Sequence, residues 1–411
     1  MKRYFLFLAL YLSALITYGQ KDTVLLRQLM ASQPAQFGSF IKDPSANRIQ
    51  ILYTQIDRDK NNIPHFKEFS YRLNADEYFY PASTIKFPLS VLALEKLNNL
   101  NIKGLNKNTR AIYDSANSRQ QQIYNNPFSQ DGRQNIEQAI KEILLISSND
   151  AANRLYEFLG QKYIHDQLAS KGYPNIYIRN RLDLGRTADE NRHTPQVSFY
   201  DETDQLVFQQ PAQYNTDPLP NYNVFLDKGY LNNKDSLIHA PFDFSVKNRI
   251  SLSDLHHIMQ SVIFYDQTSP QQKFNLTLAD RQFLLKWMRT LPYEAQYPTY
   301  DTTEYWATYS KFVLMGAEKV PMPSHIKIFN KEGDAYGFLL DNAYVVDTLN
   351  KVEFMLSAVI YCNSDGIQND SKYDYDSVGY PFYKHIGELV YQYELKRKKR
   401  YLPNFDSLLN Y

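Results

Sequence analysis

Tyr80-Pro81-Ala82-Ser83-Thr84-Ile85-Lys86-Phe87-Pro88-Leu89-Ser90-Val91-Leu92-Ala93-Leu94-Glu95-Lys96-Leu97 is the stretch around which the chain is organised. Pro81 precedes a run in which Ile85, Phe87, Leu89, Val91 and Leu92 recur at roughly helical spacing, so a buried helix is expected to begin near Ser83. Residues at i and i+3 share a helix face, which puts the Lys86 ammonium within reach of the Ser83 hydroxyl. A serine attacks a carbonyl poorly until a base takes its proton, and lysine serves as that base only when burial and neighbouring cations lower its pKa. The helix N-terminus adds positive potential that favours the developing alkoxide. The spacing alone carries little information, since it recurs at Ser39/Lys42 and Ser324/Lys327, but only at Ser83 does it open a strongly apolar helix.

The whole chain of 411 residues has a net charge of +1 and 43% hydrophobic residues, enough for a sizeable core and too balanced to imply a nucleic-acid partner. With 34 tyrosines and 14 glycines it reads as globular rather than low-complexity. Lys2 and Arg3, an apolar run from Tyr4 to Ile16 and small residues at Thr17 and Gly19 predict a secretory signal peptide over residues 1–19, cut before Gln20. The apolar run is too short to span a bilayer, so the expectation is a secreted or periplasmic protein with no stable membrane insertion after cleavage. Cys362, the sole cysteine, excludes an intramolecular disulfide and reads as a core residue ending the apolar run from Glu353 to Tyr361.

Outward from the central stretch, Arg48–Ile56 and Phe66–Leu73 alternate as a strand hairpin, after a short helix over Thr23–Met30. Apolar helices are expected over Asn135–Ile146 and Ala151–Leu159, separated by the polar break Ser147-Ser148-Asn149-Asp150, whose residues also suit helix N-caps. Residues 187–247 read as a long elaborated loop, followed by helices over Ser253–Phe264 and Leu276–Leu291 and a Tyr-rich connection from Tyr293 to Tyr309. Strands are expected over His325–Asn330, Tyr336–Val346 and Val352–Tyr361, with a turn at Lys331-Glu332-Gly333-Asp334, and a last helix over Tyr383–Tyr393. Strands at both ends and helices between them predict an α/β (α+β) domain over residues 20–411. Its antiparallel sheet lobe (about 20–80 and 324–411) is flanked by helices and joins a mainly helical lobe (about 81–323). The cleft between the lobes would collect Ser83, the Ser147 break and the Lys331 turn.

With Ser83-Thr84-Ile85-Lys86, Ser147-Ser148-Asn149 and Lys331-Glu332-Gly333 in that order, the chain resembles the class A serine β-lactamases and the related penicillin-binding D,D-peptidases, whose motifs are S-x-x-K, S-D-N or S-x-N, and K-T-G. The resemblance extends to Ile146–Asn153, to Arg181-Leu182-Asp183 before the omega loop, and to the helix from Leu276 to Met288. It implies a β-lactamase/transpeptidase-like fold and an exported serine hydrolase working through an acyl-enzyme, without cofactor or metal, on a small β-lactam or cell-wall-derived substrate. It makes Ser83 the nucleophile, Lys86 the group that takes its proton, and Ser147 the proton donor to the leaving nitrogen. Asn149, Lys331, Gly333 and Asp334 would bind the substrate, and the backbone N–H groups of Ser83 and Asp334 would form an oxyanion hole. The departures are Ser148 within S-x-N, Glu332 in place of the K-T-G threonine, and Arg186 where class A enzymes carry the deacylating glutamate. Asp189 and Glu190 are the nearby candidates for that base. Two further readings stand beside β-lactam hydrolysis: a D,D-peptidase or esterase, and a non-catalytic binding protein on the same fold.

Overall fold

The computed structural model describes residues 24–115, 117 and 119–409, so the expected signal peptide lies outside the described residues. Two ends of the chain build one five-stranded antiparallel sheet. Its strands are β1 (Gln50–Arg58), β2 (Pro64–Tyr71), β3 (Ile326–Ala335), β4 (Phe338–Asp347) and β5 (Val352–Tyr361), in the spatial order β3-β4-β5-β1-β2. Pairing of β1 with β5 closes the sheet, with Gln50 opposite Val359 and Gln55 opposite Phe354.

Period-two alternation sorts the strands between two cores. Ile51, Tyr53, Val345, Phe354 and Leu356 face Leu26, Met30 and Phe37 of the N-terminal helices and Phe382, Ile386 and Val390 of the helix Tyr380–Lys396. Leu52, Ile56, Tyr344, Met355 and Val359 face the helical lobe. β4 and β5 are therefore buried on both faces, which is why they read as nearly continuous apolar runs.

At the centre of the helical lobe lies the helix Lys86–Leu100, buried at every position from Lys86 to Leu97. A helix apolar all round has no solvent face to offer and belongs inside. Its neighbours are well terminated: Asn135 accepts from the Gln138 N–H to start Ile136–Ile146, and Ser148 accepts from the Ala151 N–H to start Asn149–Leu159. Thr277 and Asp280 form a capping box on Leu278–Arg289.

Two expectations change. Lys331-Glu332-Gly333-Asp334 does not form a turn but continues β3, and the reversal falls at Tyr336-Gly337, the two residues between the paired Ala335 and Phe338. Both have positive φ, 54° and 78°, as a tight hairpin with right-handed twist demands. The loop over residues 187–247 holds a helix, Ala188–Arg192, and several short strands. Of these, Val197–Tyr200 pairs with both Arg110–Tyr113 and Leu206–Gln210, burying Val197 and Phe199. These segments are too short for their alternation to stand out in sequence.

Candidate active site

Ser83 sits in a 3₁₀ turn, Ala82–Ile85, that runs directly into the Lys86–Leu100 helix. Ala82 holds φ of 47°, a left-handed conformation costly for a side chain with a Cβ, so the fold enforces the kink that presents Ser83 at the helix mouth. Ser83 is partly exposed while its neighbours Ala82, Thr84 and Ile85 are buried. β3 passes this turn at Gly333: a Cβ there would lie 2.6 Å from the Ser83 nitrogen and 2.9 Å from the Thr84 nitrogen. Only glycine permits that approach.

The Ser147 break arrives from the other lobe. Ser147 ends its helix in the left-handed conformation, φ 60°, and Ser148 takes the capping task, which leaves Ser147 and Asn149 free to face the lysines. Lys86 Nζ donates to the Ser147 carbonyl, to Ser147 Oγ (3.2 Å) and to Asn149 Oδ1 (2.7 Å). Ser83 Oγ is not among these acceptors, contrary to the contact expected from the i, i+3 spacing. A lysine with no exposed surface needs strong acceptors, and the Ser147 break supplies them. Lys331 Nζ donates to Ser147 Oγ (2.8 Å), to the Glu332 carbonyl (2.9 Å) and to Glu332 Oε1 (2.8 Å). Ser147 Oγ thus bridges the two ammonium groups.

Burial drives the pKa of Lys86 far below that of a free lysine, and the positive charge of Lys331 lowers it further. A lysine whose charged form is disfavoured in this way gives up its proton more readily than a free one, which suits it to act as a general base beside two hydroxyl-bearing turns. Asp334 is accessible at the floor of the cleft yet crowded on most sides. This desolvation raises its carboxyl above the ordinary range, and the nearby Glu332 adds to the effect.

Two cavities meet at Asp334. One, about 490 Å³, is bordered by Ser83, Asn149, Asp183, Tyr336 and Tyr373. The other, about 460 Å³, is bordered by Ser147, Glu332, Trp306, Tyr309 and Tyr380. Ser83, Lys86, Ser147, Asn149, Lys331, Gly333 and Asp334 therefore come together from three separated segments. Asp189 and Glu190 do not join them. Glu190 caps its own short helix by accepting from the Thr187 N–H (2.7 Å) and pairs with Arg119 (3.2 Å), while Asp189 accepts from the Tyr214 hydroxyl (2.9 Å). Neither borders the cavities at Ser83 or Ser147, and Arg186 is turned to the Arg119 carbonyl.

The segment carrying Asp183 is anchored from beneath. Arg181 donates to Glu157 Oε1 (2.9 Å) and to the His193 carbonyl (2.8 Å), and Asn153 exchanges hydrogen bonds with the Leu182 backbone. Asp183, with φ of 54°, borders the Ser83 cavity, a position the sequence reading did not assign. Buried Lys311, which donates to Asn330 Oδ1 (2.7 Å) and the Met288 carbonyl (2.8 Å), also went unassigned, because no motif marks it. Among the described residues no cluster of three or more His, Cys, Asp or Glu side chains could hold a metal ion, and none of the helices is long and apolar enough to cross a membrane.

A sheet built from both chain ends, a buried central helix with a serine at its mouth and a lysine in its first turn define the β-lactamase/transpeptidase-like serine hydrolase fold. The chain belongs to the β-lactamase enzyme family, whose model matches residues 26–393. Comparison with curated proteins gives no match. Similar solved structures include PBP-A, at 16% identity over 91% of this chain and 97% of that one, TM-score 0.49. They also include a β-lactamase from Chitinophaga pinensis DSM 2588, at 11% identity over 90% and 97%, TM-score 0.48, and one from Desulfarculus baarsii DSM 2075, at 12% over 90% and 98%, TM-score 0.48.

Proposed function

We propose that this protein is an exported serine hydrolase of class A type that forms an acyl-enzyme on Ser83. The observation that carries the reading is the fully buried Lys86, hydrogen-bonded to Ser147 and Asn149 and held at low pKa by burial and Lys331. Neutral Lys86 takes the Ser83 proton, directly or through Ser147 Oγ, as Ser83 Oγ attacks the substrate carbonyl. The oxyanion is received by the backbone N–H groups of Ser83 and Asp334. Ser147, recharged by the protonated Lys86, delivers the proton to the leaving nitrogen or oxygen, and that bond breaks. Asn149 steadies the acyl portion, and Lys331 keeps Lys86 from being protonated too readily.

β-Lactam amide opening is the reaction the class A resemblance implies. The second reading, a D,D-peptidase or esterase, is favoured by one observation: Arg186, Asp189 and Glu190 are all engaged away from Ser83, which leaves no glutamate at the expected place to activate the deacylating water. The test is intact-mass spectrometry of wild type and Ser83→Ala after incubation with a fluorophosphonate and, separately, a penicillin. One stoichiometric adduct, lost in Ser83→Ala, is expected. No adduct with the uncharged phosphonate would refute the enzyme reading in favour of a binding protein. Rapid nitrocefin turnover would favour β-lactam hydrolysis over the second reading. Export is checked by N-terminal sequencing of the protein from culture, which should begin at Gln20.

A further inference from the structure

If Ser83 is acylated as proposed, the cavity at Ser147 receives the leaving group, because Ser147 is the proton donor to it; the substrate preference of this cavity rests on that function. The natural occupant under the family resemblance is a carboxylate drawn to Lys331. Here that role is blocked by three features.

An ammonium has three hydrogens, and those of Lys331 are directed to Ser147 Oγ, the Glu332 carbonyl and Glu332 Oε1. The Lys331–Glu332 ion pair (2.8 Å) is itself almost wholly buried, with side-chain exposures of 1% and 6%. Removing Lys331 from that pair to greet a substrate anion would leave Glu332 as an unpaired buried charge. Second, the cavity is bordered by the carboxylates Glu332, Asp334, Asp376 and Glu318 against, among the described residues, a single bordering cation, Lys319. Glu332 is offset by Lys331 and Glu318 by Lys384 (2.7 Å), which leaves Asp334 and Asp376 against Lys319 and a negative balance. Third, the remaining wall is aromatic: Trp306 and Tyr309 meet edge to face (5.2 Å), as do Phe312 and Tyr380 (5.1 Å). The exposed Lys319 already places its ammonium 4.6 Å from the Trp306 ring centroid, so this wall accepts a cation.

We infer that the leaving-group side of the cleft selects a substrate bearing an amine or quaternary ammonium there and disfavours one bearing a carboxylate. Lys319, at the rim, yields its place on Trp306 when such a group enters. The Tyr309 hydroxyl, pushed up to about 12 by burial and then by Glu332 and Asp334, agrees with it; Asp334 is itself raised by burial and Glu332, against the lowering effect of Lys331 and Lys86.

The experiment has a catalytic arm and a binding arm. Three esters of one N-acylated amino acid are compared, with choline, 3,3-dimethylbutanol as its uncharged isostere, or 4-hydroxybutyrate as the leaving alcohol. The choline ester is expected to have about tenfold higher kcat/KM than the uncharged ester, with the carboxylate ester slowest. The spread should narrow as salt is raised and in Asp376→Asn. A carboxylate ester cleaved as fast as the uncharged one overturns the inference. The binding arm needs no chemistry: choline and butyrate are titrated into the Ser83→Ala protein while Trp306 fluorescence is followed, with Trp306→Phe subtracted to remove the Trp287 signal. Saturable quenching by choline alone supports the inference; equal or stronger binding of butyrate, or no binding of choline, overturns it. Because the fluorophosphonate test does not involve this cavity's charge, the absence of any adduct on wild-type Ser83 would refute the proposed function separately.

Discussion

Replacing Gly333 by alanine tests the proposed machinery at its tightest point. The new Cβ would sit 2.6 Å from the Ser83 nitrogen, 2.9 Å from the Thr84 nitrogen and 3.2 Å from Ala82 Cβ. Comfortable separation of such atoms is about 3.5 Å, so β3 and the Ser83 turn must part by about 1 Å. None of the three obstructing atoms is the end of a flexible side chain, so backbone has to move. The displaced groups include the two N–H donors assigned to the oxyanion, and losing one such donor costs about 10²–10³ in rate, or about 2.7–4 kcal/mol. Overpacking adds about 1–3 kcal/mol of lost stability. The assay is the second-order rate of fluorophosphonate labelling, with melting by calorimetry to confirm that the variant is folded at the assay temperature. Gly38→Ala is the control: it lies in the helix Pro34–Lys42 with no atom within 4 Å of the added Cβ, and should be neutral or stabilising by up to about 1 kcal/mol. If Gly333→Ala labels within threefold of wild type, the close passage of β3 across Ser83 is not part of the catalytic geometry.

Labelling of Ser83 should rise with pH. Lys86 acts only when unprotonated, and its pKa is depressed by burial and Lys331, so the rising limb should lie well below the 10.5 of a free lysine and the reaction should be lost on acidification. Lys86→Met should abolish labelling while the protein stays folded; retention of the wild-type rate would remove Lys86 from the mechanism. Glu190→Gln should leave the lifetime of any acyl-enzyme within twofold of wild type, measured by mass spectrometry, since that carboxylate serves Thr187 and Arg119; a tenfold longer lifetime would restore it as the deacylation base. Glu157→Leu strands Arg181 and Arg154, which pair with it at 2.9 and 3.1 Å in the interior, and should cost about 3–5 kcal/mol in denaturant unfolding.

Most of the site was legible because its polar residues interrupt apolar runs. Ser83 and Lys86 open a helix buried on every side, and Ser147-Ser148-Asn149 separates two strongly patterned helices, so the exceptions to the pattern stand out. Lys331 and Gly333 were legible as a motif but misread locally, because Gly333 looks like a turn residue when its actual service is to let β3 graze Ser83. The alternation of β3 continues past it, and the reversal waits for Gly337. Asp183, Lys311 and the Trp306–Tyr309 corner were not legible. Their significance comes from which elements pack beside them, and no local spacing records that. Asp189 and Glu190 lie away from Ser83 for the opposite reason: proximity in sequence to Arg186 suggested a shared task, whereas Glu190 completes a capping box with Thr187 and Asp189 accepts from the Tyr214 hydroxyl.

The pairing of β1 with β5 also bears on when activity can arise. Gln50 and Val359 are partners across more than three hundred residues of intervening chain, so the central ladder cannot close until the chain has been made through Val359. Such long-range closure is slow and exposes unpaired strand edges while it is pending. Because β3 belongs to the late-arriving half, Ser83 meets Gly333 and Lys331 only near the end of assembly. A nascent or truncated chain would therefore carry the nucleophile without the surroundings that make it reactive.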